Sequence, residues 1–181
     1  MQRYTIAIDL DDTLYDFVGL LLEEYNKKYD DCIQKEDITD WDIHQFLKPE
    51  CKSIFKEFAT EELFEKCIIG KEVVNLMERL HSIANIYFVT SCAPRGLAWR
   101  ARILKRHFSF YNDSMLVRLK DKSRFVCDYI IDDNPMNCIY RYNESICIAQ
   151  PWNEEISCRT DIVDALINLI LKIKEKEECY D

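Results

Sequence analysis

Residues 4–13 read Tyr-Thr-Ile-Ala-Ile-Asp-Leu-Asp-Asp-Thr, a short run of β-forming apolar residues that ends in carboxylates. The apolar side chains occupy consecutive positions instead of alternating with polar ones, which is typical of a strand buried on both faces in a parallel sheet. Asp9 and Asp11 are two residues apart, so in extended chain their side chains point to one side while Leu10 points to the other. The run therefore predicts a buried strand with two carboxylates at its carboxyl end.

Four further runs along the chain have a similar character. They are residues 86–90, 115–117, 129–132 and 146–149, of which the second and the last are weaker. Between the runs, apolar residues recur at helical spacing in residues 73–83, 97–104 and 162–173. Strands that alternate with helices predict the α/β class, with a Rossmann-like parallel sheet flanked by helices.

The segment that follows the first strand interrupts this alternation. Residues 17–67 contain several amphipathic helical pieces rich in Tyr, Trp and Phe, but no convincing strand. Such an insert is placed to cover the carboxyl edge of the sheet. We therefore expect a core domain formed by residues 1–16 and 69–181, and a small helical cap formed by residues 17–68.

Polar side chains end three of the predicted strands. They are Asp9, Asp11, Thr90, Ser91, Asp132 and Asp133. Ligands of open α/β sheets bind outside the carboxyl ends of the strands, so we expect these side chains to meet at one site. Carboxylates that lie so close together repel each other unless a cation lies between them or one of them is protonated. A cluster of oxygen ligands without His or Cys suits Mg²⁺ better than zinc.

Each of these segments taken alone also has a purely structural interpretation. Aspartate is a common residue at the start of a helix, and residues 132–135, Asp-Asp-Asn-Pro, read as such a start with proline in the first turn. The combination of three segments with Lys122, ten residues before Asp132, favours the functional interpretation.

Composition argues against several other functions. The 181 residues include only three glycines, at positions 19, 70 and 96, so neither the dinucleotide-binding motif nor the P-loop motif can be written. A formal net charge of -9 disfavours duplex nucleic acid as a partner. The nine cysteines show no CxxC pair and no zinc-finger spacing with histidine. We expect reduced thiols in a cytoplasmic protein that has neither a secretory leader nor a membrane span.

Residues 9–13, Asp-Leu-Asp-Asp-Thr, resemble motif I (DxDx[TV]) of the haloacid dehalogenase-like phosphatase superfamily. Motifs II, III and IV of that superfamily are matched, in the same order and strand context, by Thr90-Ser91, Lys122 and Asp132-Asp133. The resemblance implies the haloacid dehalogenase-like form of the α/β fold, with the cap inserted after the first strand.

A narrower resemblance is to the 5′(3′)-deoxyribonucleotidase branch of this superfamily. It rests on four segments, which are Asp16-Phe17 and residues 38–41, 121–123 and 128–135. Asp12 departs from the branch, which often has glycine at that place. The branch resemblance implies that a nucleoside monophosphate is dephosphorylated beneath the helical cap.

The superfamily resemblance also implies a mechanism. Asp9 would attack phosphorus and form an aspartyl-phosphate, while Asp11 would protonate the leaving oxygen and then take a proton from water. Mg²⁺ would be held by Asp9, by Asp11 through its backbone carbonyl and by Asp132, with Asp133 orienting a metal-bound water.

The same resemblance gives roles to the residues that would hold the phosphate. Thr90 would hydrogen-bond a phosphoryl oxygen with help from Ser91, and Lys122 would supply positive charge to the phosphoryl group and to Asp9. No lysine follows motif II where the branch often uses one, and Arg100 lies near that place. Arg100 is therefore a candidate phosphate ligand, the alternative being an ordinary exposed arginine.

Four aromatic residues of the predicted cap could stack on a base. They are Phe17, Trp41, Phe46 and Phe64. Aromatic residues at helical spacing also fill the cores of small helical bundles, which is the alternative for each of them. Phe17 is the best candidate because it lies just past motif I, and Trp41 belongs to the segment that resembles the branch.

The leading hypothesis is a cytoplasmic, Mg²⁺-dependent phosphomonoesterase that acts on a nucleoside monophosphate in deoxyribonucleotide catabolism. One alternative is the same chemistry on another small phosphate ester, such as a sugar phosphate or a nucleic-acid 3′-phosphate end. Another is a catalytically silent phosphate-binding module, against which the full motif set argues. A homodimer is left open, and no membrane partner is expected.

Overall fold

A five-stranded parallel sheet forms the centre of the computed structural model, which describes residues 3–139 and 144–178. The strands are β1 Thr5–Ile8, β2 Asn85–Thr90, β3 Leu116–Arg118, β4 Tyr129–Asp132 and β5 Glu144–Cys147. Their order across the sheet is β3-β2-β1-β4-β5, and every neighbouring pair is parallel. The predicted α/β class and parallel sheet are confirmed.

Seven α-helices accompany the sheet in the described part of the chain. They are α1 Phe17–Tyr29, α2 Ile54–Phe58, α3 Glu61–Lys66, α4 Lys71–Ile83, α5 Leu97–His107, α6 Pro135–Ile139 and α7 Ile162–Glu178. The apolar stripes of α4, α5 and α7 share one buried cluster with Ile6 and Ile8 of β1. Ala7, between them, joins a smaller cluster on the opposite face. The central strand is therefore buried on both faces, as its unbroken apolar run predicts.

The chain between β1 and α4 is helical. It contains α1, α2, α3 and two 3₁₀ turns, Lys35–Asp37 and Ile43–Phe46, and no strand occurs within it. Its buried side chains belong to the same cluster as the strand residues. The division into a cap of residues 17–68 and a core of residues 1–16 and 69–181 stays a prediction, and residues 1–2, 140–143 and 179–181 of that core lie outside the described residues.

Among the described residues, none of the helices combines the length and the apolar character that crossing a bilayer requires.

Two leucines of α7 allow the contribution of core packing to the free energy of unfolding to be measured. Leu166 is fully buried on α7, whereas Leu171 on the same helix is 52% exposed. Leu166→Ala is expected to lower the free energy of unfolding by about 3 kcal/mol, because it leaves a cavity in a close-packed core. Leu171→Ala is expected to lower it by less than about 1 kcal/mol. Urea unfolding followed by circular dichroism measures both, and equal losses would contradict this packing.

Candidate active site

The adjacency of β1 and β4 brings three carboxylates together. Asp9 follows β1 and donates its backbone N–H to the carbonyl of Ile131 on β4, at 2.9 Å. Carboxylate oxygens of Asp9, Asp132 and Asp133 all lie within 4.8 Å of one another, and all three residues are buried. The structure thus brings together the first and last of the predicted acidic motifs.

Lys122 enters this cluster from the chain between β3 and β4. Its Nζ atom lies 2.6 Å from an oxygen of Asp9 and 2.8 Å from an oxygen of Asp132. The residue is only 4% exposed, whereas Lys120 is exposed. Burial alone would lower the pKa of Lys122, but the two carboxylates outweigh it and hold that pKa above its ordinary value. The ammonium group is therefore a fixed positive charge at the site.

Two of the three carboxyl groups, those of Asp9 and Asp133, have raised pKa values. Burial raises the pKa of Asp9 to about 7, with further contributions from Asp132 and Asp11, while Lys122 opposes the shift. Burial also holds the pKa of Asp133 well above its ordinary value, and Asp9 and Asp132 add to the effect. The raised pKa values show that Lys122 alone does not offset the negative charge of this cluster, so a second cation bound there would be stabilised.

The turn between β4 and α6 settles which residue starts that helix. Asn134 accepts a hydrogen bond from the backbone N–H of Met136 at 2.9 Å, so Asn134 provides the cap. One oxygen of Asp132 accepts from the backbone N–H of Asn134, and the other faces Lys122 and the amide of Asn137 at 3.1 Å. Asp132 is thus fixed by its surroundings and directed into the site.

Two residues after β5 support Asp133 and were not among the predicted site residues. Trp152 donates its indole N–H to the carboxylate of Asp133 at 3.1 Å, and Asn153 donates to its backbone carbonyl at 2.8 Å. Both residues are buried. A signal for them existed, because residues 151–153 follow the weak run at 146–149 and so lie at the carboxyl edge of the sheet.

Asp11 lies apart from the three clustered carboxylates. Its Oδ1 atom accepts from the hydroxyl of Tyr15 at 2.6 Å and from Nε of Arg100 at 3.1 Å, and a second Arg100 nitrogen contacts Oδ2. Arg100 comes from α5 and is 5% exposed. The alternative of an ordinary exposed arginine is wrong, because Arg100 is buried against Asp11, a pairing that was not foreseen. Its role as a phosphate ligand is not tested by these contacts.

The residues of motif II lie at the carboxyl end of β2 and face a cavity. Thr90 is buried, and its hydroxyl accepts from the backbone N–H of Cys92 at 3.3 Å. Ser91 is exposed. Both line the same cavity as Asp9 and Asp11, and their role in holding phosphate stays a prediction.

Asp12 adopts the backbone conformation that glycine favours, at the position where the branch often has glycine. Its φ of 56° is in the left-handed region, which glycine favours and which aspartate tolerates better than most residues. Its carboxylate accepts from the backbone N–H groups of Phe17 and Val18 at the start of α1, and Lys35 lies 2.8 Å away. Burial raises the pKa of Asp12 to about 6, against the opposing effect of Lys35.

The cavity above the carboxyl edge has a volume of about 420 Å³. Its aromatic lining consists of Phe17, Trp41, Phe55, Phe64, Trp99 and Trp152. Phe17 is buried and stacks on Phe64 with ring centroids 5.1 Å apart, whereas Trp41 is 54% exposed. Phe46 does not line the cavity and packs against the hydrophobic core.

Two solved structures, each titled a hydrolase, are similar to this chain in fold. One from Pseudomonas syringae superimposes with a TM-score of 0.56 at 15% identity, covering 92% of this chain and 98% of that one. Another from Streptococcus pneumoniae TIGR4 gives a TM-score of 0.52 at 15% identity, covering 93% and 99% of the two chains. Both likenesses show the α/β fold of this chain, as the sequence predicts.

The chain belongs to the family described as 5′ nucleotidase, deoxy (Pyrimidine), cytosolic type C protein, whose model matches residues 3–176. A relative from Clostridium acetobutylicum named 5′(3′)-deoxyribonucleotidase is 31% identical over 138 residues, which is 76% of this chain and 77% of the relative. The predicted resemblance is confirmed, and the chain is a nucleotidase, an enzyme of the phosphoric monoester hydrolase class.

The raised pKa of Asp9 predicts a dependence of stability on pH. A carboxyl group whose pKa is higher in the folded than in the unfolded protein destabilises the fold increasingly as pH rises from the unfolded value, near 4, to the folded value, about 7. Without divalent cations, Asp9→Asn is expected to raise the melting temperature by about 4 °C or more near pH 8, and by less near pH 5.

Thermal unfolding in a chelating buffer measures this difference. Asp113→Asn serves as the control, because Asp113 is an exposed carboxylate whose pKa is lowered by a hydrogen bond from Lys105, and it should give no such rise. If Asp9→Asn raises the melting temperature equally at both pH values, the pKa of Asp9 is not raised in the folded protein.

Proposed function

We propose that the protein hydrolyses a nucleoside monophosphate through an aspartyl-phosphate on Asp9, with Mg²⁺ as cofactor. The observation that carries the proposal is the position of Asp9, at the end of the central strand. There it touches Lys122, lies beside Asp132 and Asp133, and faces an aromatic cavity.

Two successive displacements at phosphorus make up the reaction. A carboxylate oxygen of Asp9 attacks phosphorus, and the bond to the leaving nucleoside oxygen breaks as Asp11 gives that oxygen a proton. Water then attacks the phosphorus of the aspartyl-phosphate, Asp11 takes back a proton, and the carboxylate of Asp9 is restored. Asp9 and Asp11 both line the cavity, which supports these two roles.

The phosphoryl oxygens would be held by groups that are already oriented. The buried hydroxyl of Thr90 and the exposed hydroxyl of Ser91 can donate to them, and the ammonium group of Lys122 offsets their charge. Because Lys122 is held between Asp9 and Asp132, its position is set before substrate binds. Pre-arranged charge of this kind stabilises a transition state without reorganisation.

The donor set fits Mg²⁺. Oxygens of Asp9, Asp132 and Asp133 lie within 4.8 Å of one another, with the backbone carbonyl of Asp11 as a further predicted ligand, and no His or Cys belongs to the cluster. Hard oxygen donors of this kind suit Mg²⁺. When bound, the ion would offset the negative charge between the nucleophile and the phosphate.

The cavity supports a nucleotide over a sugar phosphate as substrate. Trp41 and Phe17 lie on its wall with four further aromatic side chains, and a flat base can stack on such surfaces. The family description and the name of the Clostridium relative both support a deoxyribonucleoside monophosphate, with pyrimidines among its bases. A role in deoxyribonucleotide catabolism in the cytoplasm accords with this substrate, and the homodimer left open above stays a prediction.

The nucleophile is tested by phosphate release. With Mg²⁺ and a panel of 5′- and 3′-deoxyribonucleoside monophosphates, Asp9→Asn is expected to lower kcat by about 10³-fold or more, because no aspartyl-phosphate can form. Adding excess chelator to the unmodified protein should abolish turnover. Asp113→Asn, a change at an exposed aspartate paired with Lys105, should leave turnover intact. Full activity of Asp9→Asn would refute the proposed mechanism.

The base-binding role of Trp41 is tested by comparing two substrates. Trp41→Ala is expected to raise KM roughly tenfold for a deoxyribonucleoside 5′-monophosphate and to leave KM for deoxyribose 5-phosphate, which has no base, nearly unchanged. Ile68→Ala, at a position 74% exposed and outside the cavity lining, is the matched control. A similar rise for both substrates would argue against stacking on the base.

A further inference from the structure

Arg100 is an unusual arginine because it is almost entirely enclosed although it lies beside a cavity. It is 5% exposed and comes from the middle of α5. Its guanidinium carbon lies 4.7 Å from the ring centroid of Phe64 and 5.5 Å from that of Phe17, and because these two centroids are 5.1 Å apart, both rings lie on one side of Arg100.

Three of the five N–H donors of Arg100 already hydrogen-bond within the protein. Nε and one terminal nitrogen contact the two carboxylate oxygens of Asp11, which is the paired geometry that arginine forms with a carboxylate. The other terminal nitrogen donates to the carbonyl of Gly96 at 3.1 Å. Two N–H groups, one on each terminal nitrogen, are left by these contacts among the described residues, and both belong to nitrogens that the protein already holds in place.

The environment of Gly96 is consistent with this placement. A Cβ atom added at Gly96 would lie 2.6 Å from the terminal nitrogen of Arg100, which is closer than any ordinary contact. The absence of a side chain at this position therefore leaves the space in which the guanidinium reaches Asp11.

Asp11 is held on a second side as well. The hydroxyl of Tyr15 donates to the same carboxylate oxygen as Nε of Arg100, at 2.6 Å, and Tyr15 is buried. The carboxylate of Asp11 therefore has one orientation imposed by two fixed donors, although it is partly open to the cavity.

We propose that Arg100 is a positioning residue, which orients Asp11 for proton transfer to the leaving oxygen and does not bind the phosphate of the substrate. This inference rests on the proposed function, because it needs Asp11 as the acid and base. Asp11 enters the first displacement protonated and gives that proton to the leaving oxygen as the bond from phosphorus to that oxygen breaks, which leaves Asp11 as the carboxylate that pairs with Arg100. In the second, water returns a proton to Asp11, and Arg100 exchanges none.

Two substrates with different leaving groups distinguish an Arg100 that orients Asp11 from an Arg100 that binds the phosphate of the substrate. A nucleoside leaves as an alcohol and needs a proton, whereas p-nitrophenolate leaves readily without one. Both substrates carry the same phosphoryl group. The value of kcat/KM reports the first displacement alone, since that step commits the substrate.

The experiment compares kcat/KM for a deoxyribonucleoside 5′-monophosphate and for p-nitrophenyl phosphate. Arg100→Met is expected to lower the first value by about 100-fold and the second by less than about threefold. Asp11→Asn should show the same selectivity, and the double variant should be no worse than Asp11→Asn alone. Arg102→Met, which removes an exposed arginine of the same helix paired with Glu61, should change neither value.

Because Arg100 is buried, circular dichroism must first show that Arg100→Met is folded. If it is not, Arg100→Lys carries the test, since it keeps the positive charge but cannot grip both oxygens of Asp11. The same selective loss is expected there, with a smaller magnitude.

Four results would overturn the inference. An equal loss on both substrates would make Arg100 a phosphate ligand, and no loss on either would leave it without a role in the reaction. If Asp11→Asn lacks the selectivity, or the unmodified protein hydrolyses neither phosphate, the proposed function itself fails and the inference fails with it.

Discussion

The ion pair that Lys122 makes with both Asp9 and Asp132 is the interaction on which the rest of the site depends. Charges removed from water are costly, and three carboxylates at one buried edge would repel each other without a cation among them. Lys122 is itself buried, so it is stabilised by the same carboxylates that it neutralises. Removing Lys122 would leave the buried carboxylates without the cation that contacts both Asp9 and Asp132.

The sheet order is what makes that interaction geometrically available. Because β1 and β4 are neighbours, Asp9 and Asp132 end adjacent strands, while Lys122 arrives on the chain that leads from β3 into β4. The residues around them then fix each carboxylate by a separate hydrogen bond, from Asn134 and Asn137 to Asp132 and from Trp152 to Asp133. Folding thus sets the geometry of the acidic cluster before any substrate is present.

Much of this architecture could be read from the sequence because two strong local signals agree. Unbroken apolar runs mark buried parallel strands, and the residues that end them must lie at one edge of the sheet. That reasoning placed Asp9, Thr90, Asp132 and Asp133 at one edge of the sheet, the spacing to Asp132 singled out Lys122, and the family resemblance gave Lys122 a role. The boundaries of β3 and β5 were less well placed, because both are short and their runs are weak.

What the sequence did not show are contacts between residues far apart in the chain. Arg100 meets Asp11 across 89 positions, and Trp152 meets Asp133 across 19. Neither pairing leaves a periodic pattern, because each depends on how α5 and the chain after β5 pack against the sheet edge. Lys35 and Asp12 are a similar case, since their ion pair connects the helical insert to the loop after β1.

The central claim is that phosphate passes through a covalent bond to Asp9, and trapping that intermediate tests it most directly. The protein would be mixed rapidly with Mg²⁺ and a deoxyribonucleoside monophosphate, quenched in acid within the first turnover, and digested for peptide mass spectrometry. The phosphate is expected on the peptide that contains Asp9, at the Asp9 side chain, and Asp9→Asn should show none. Turnover without any phosphorylated peptide, or phosphate found on Asp11 instead, would contradict the claim.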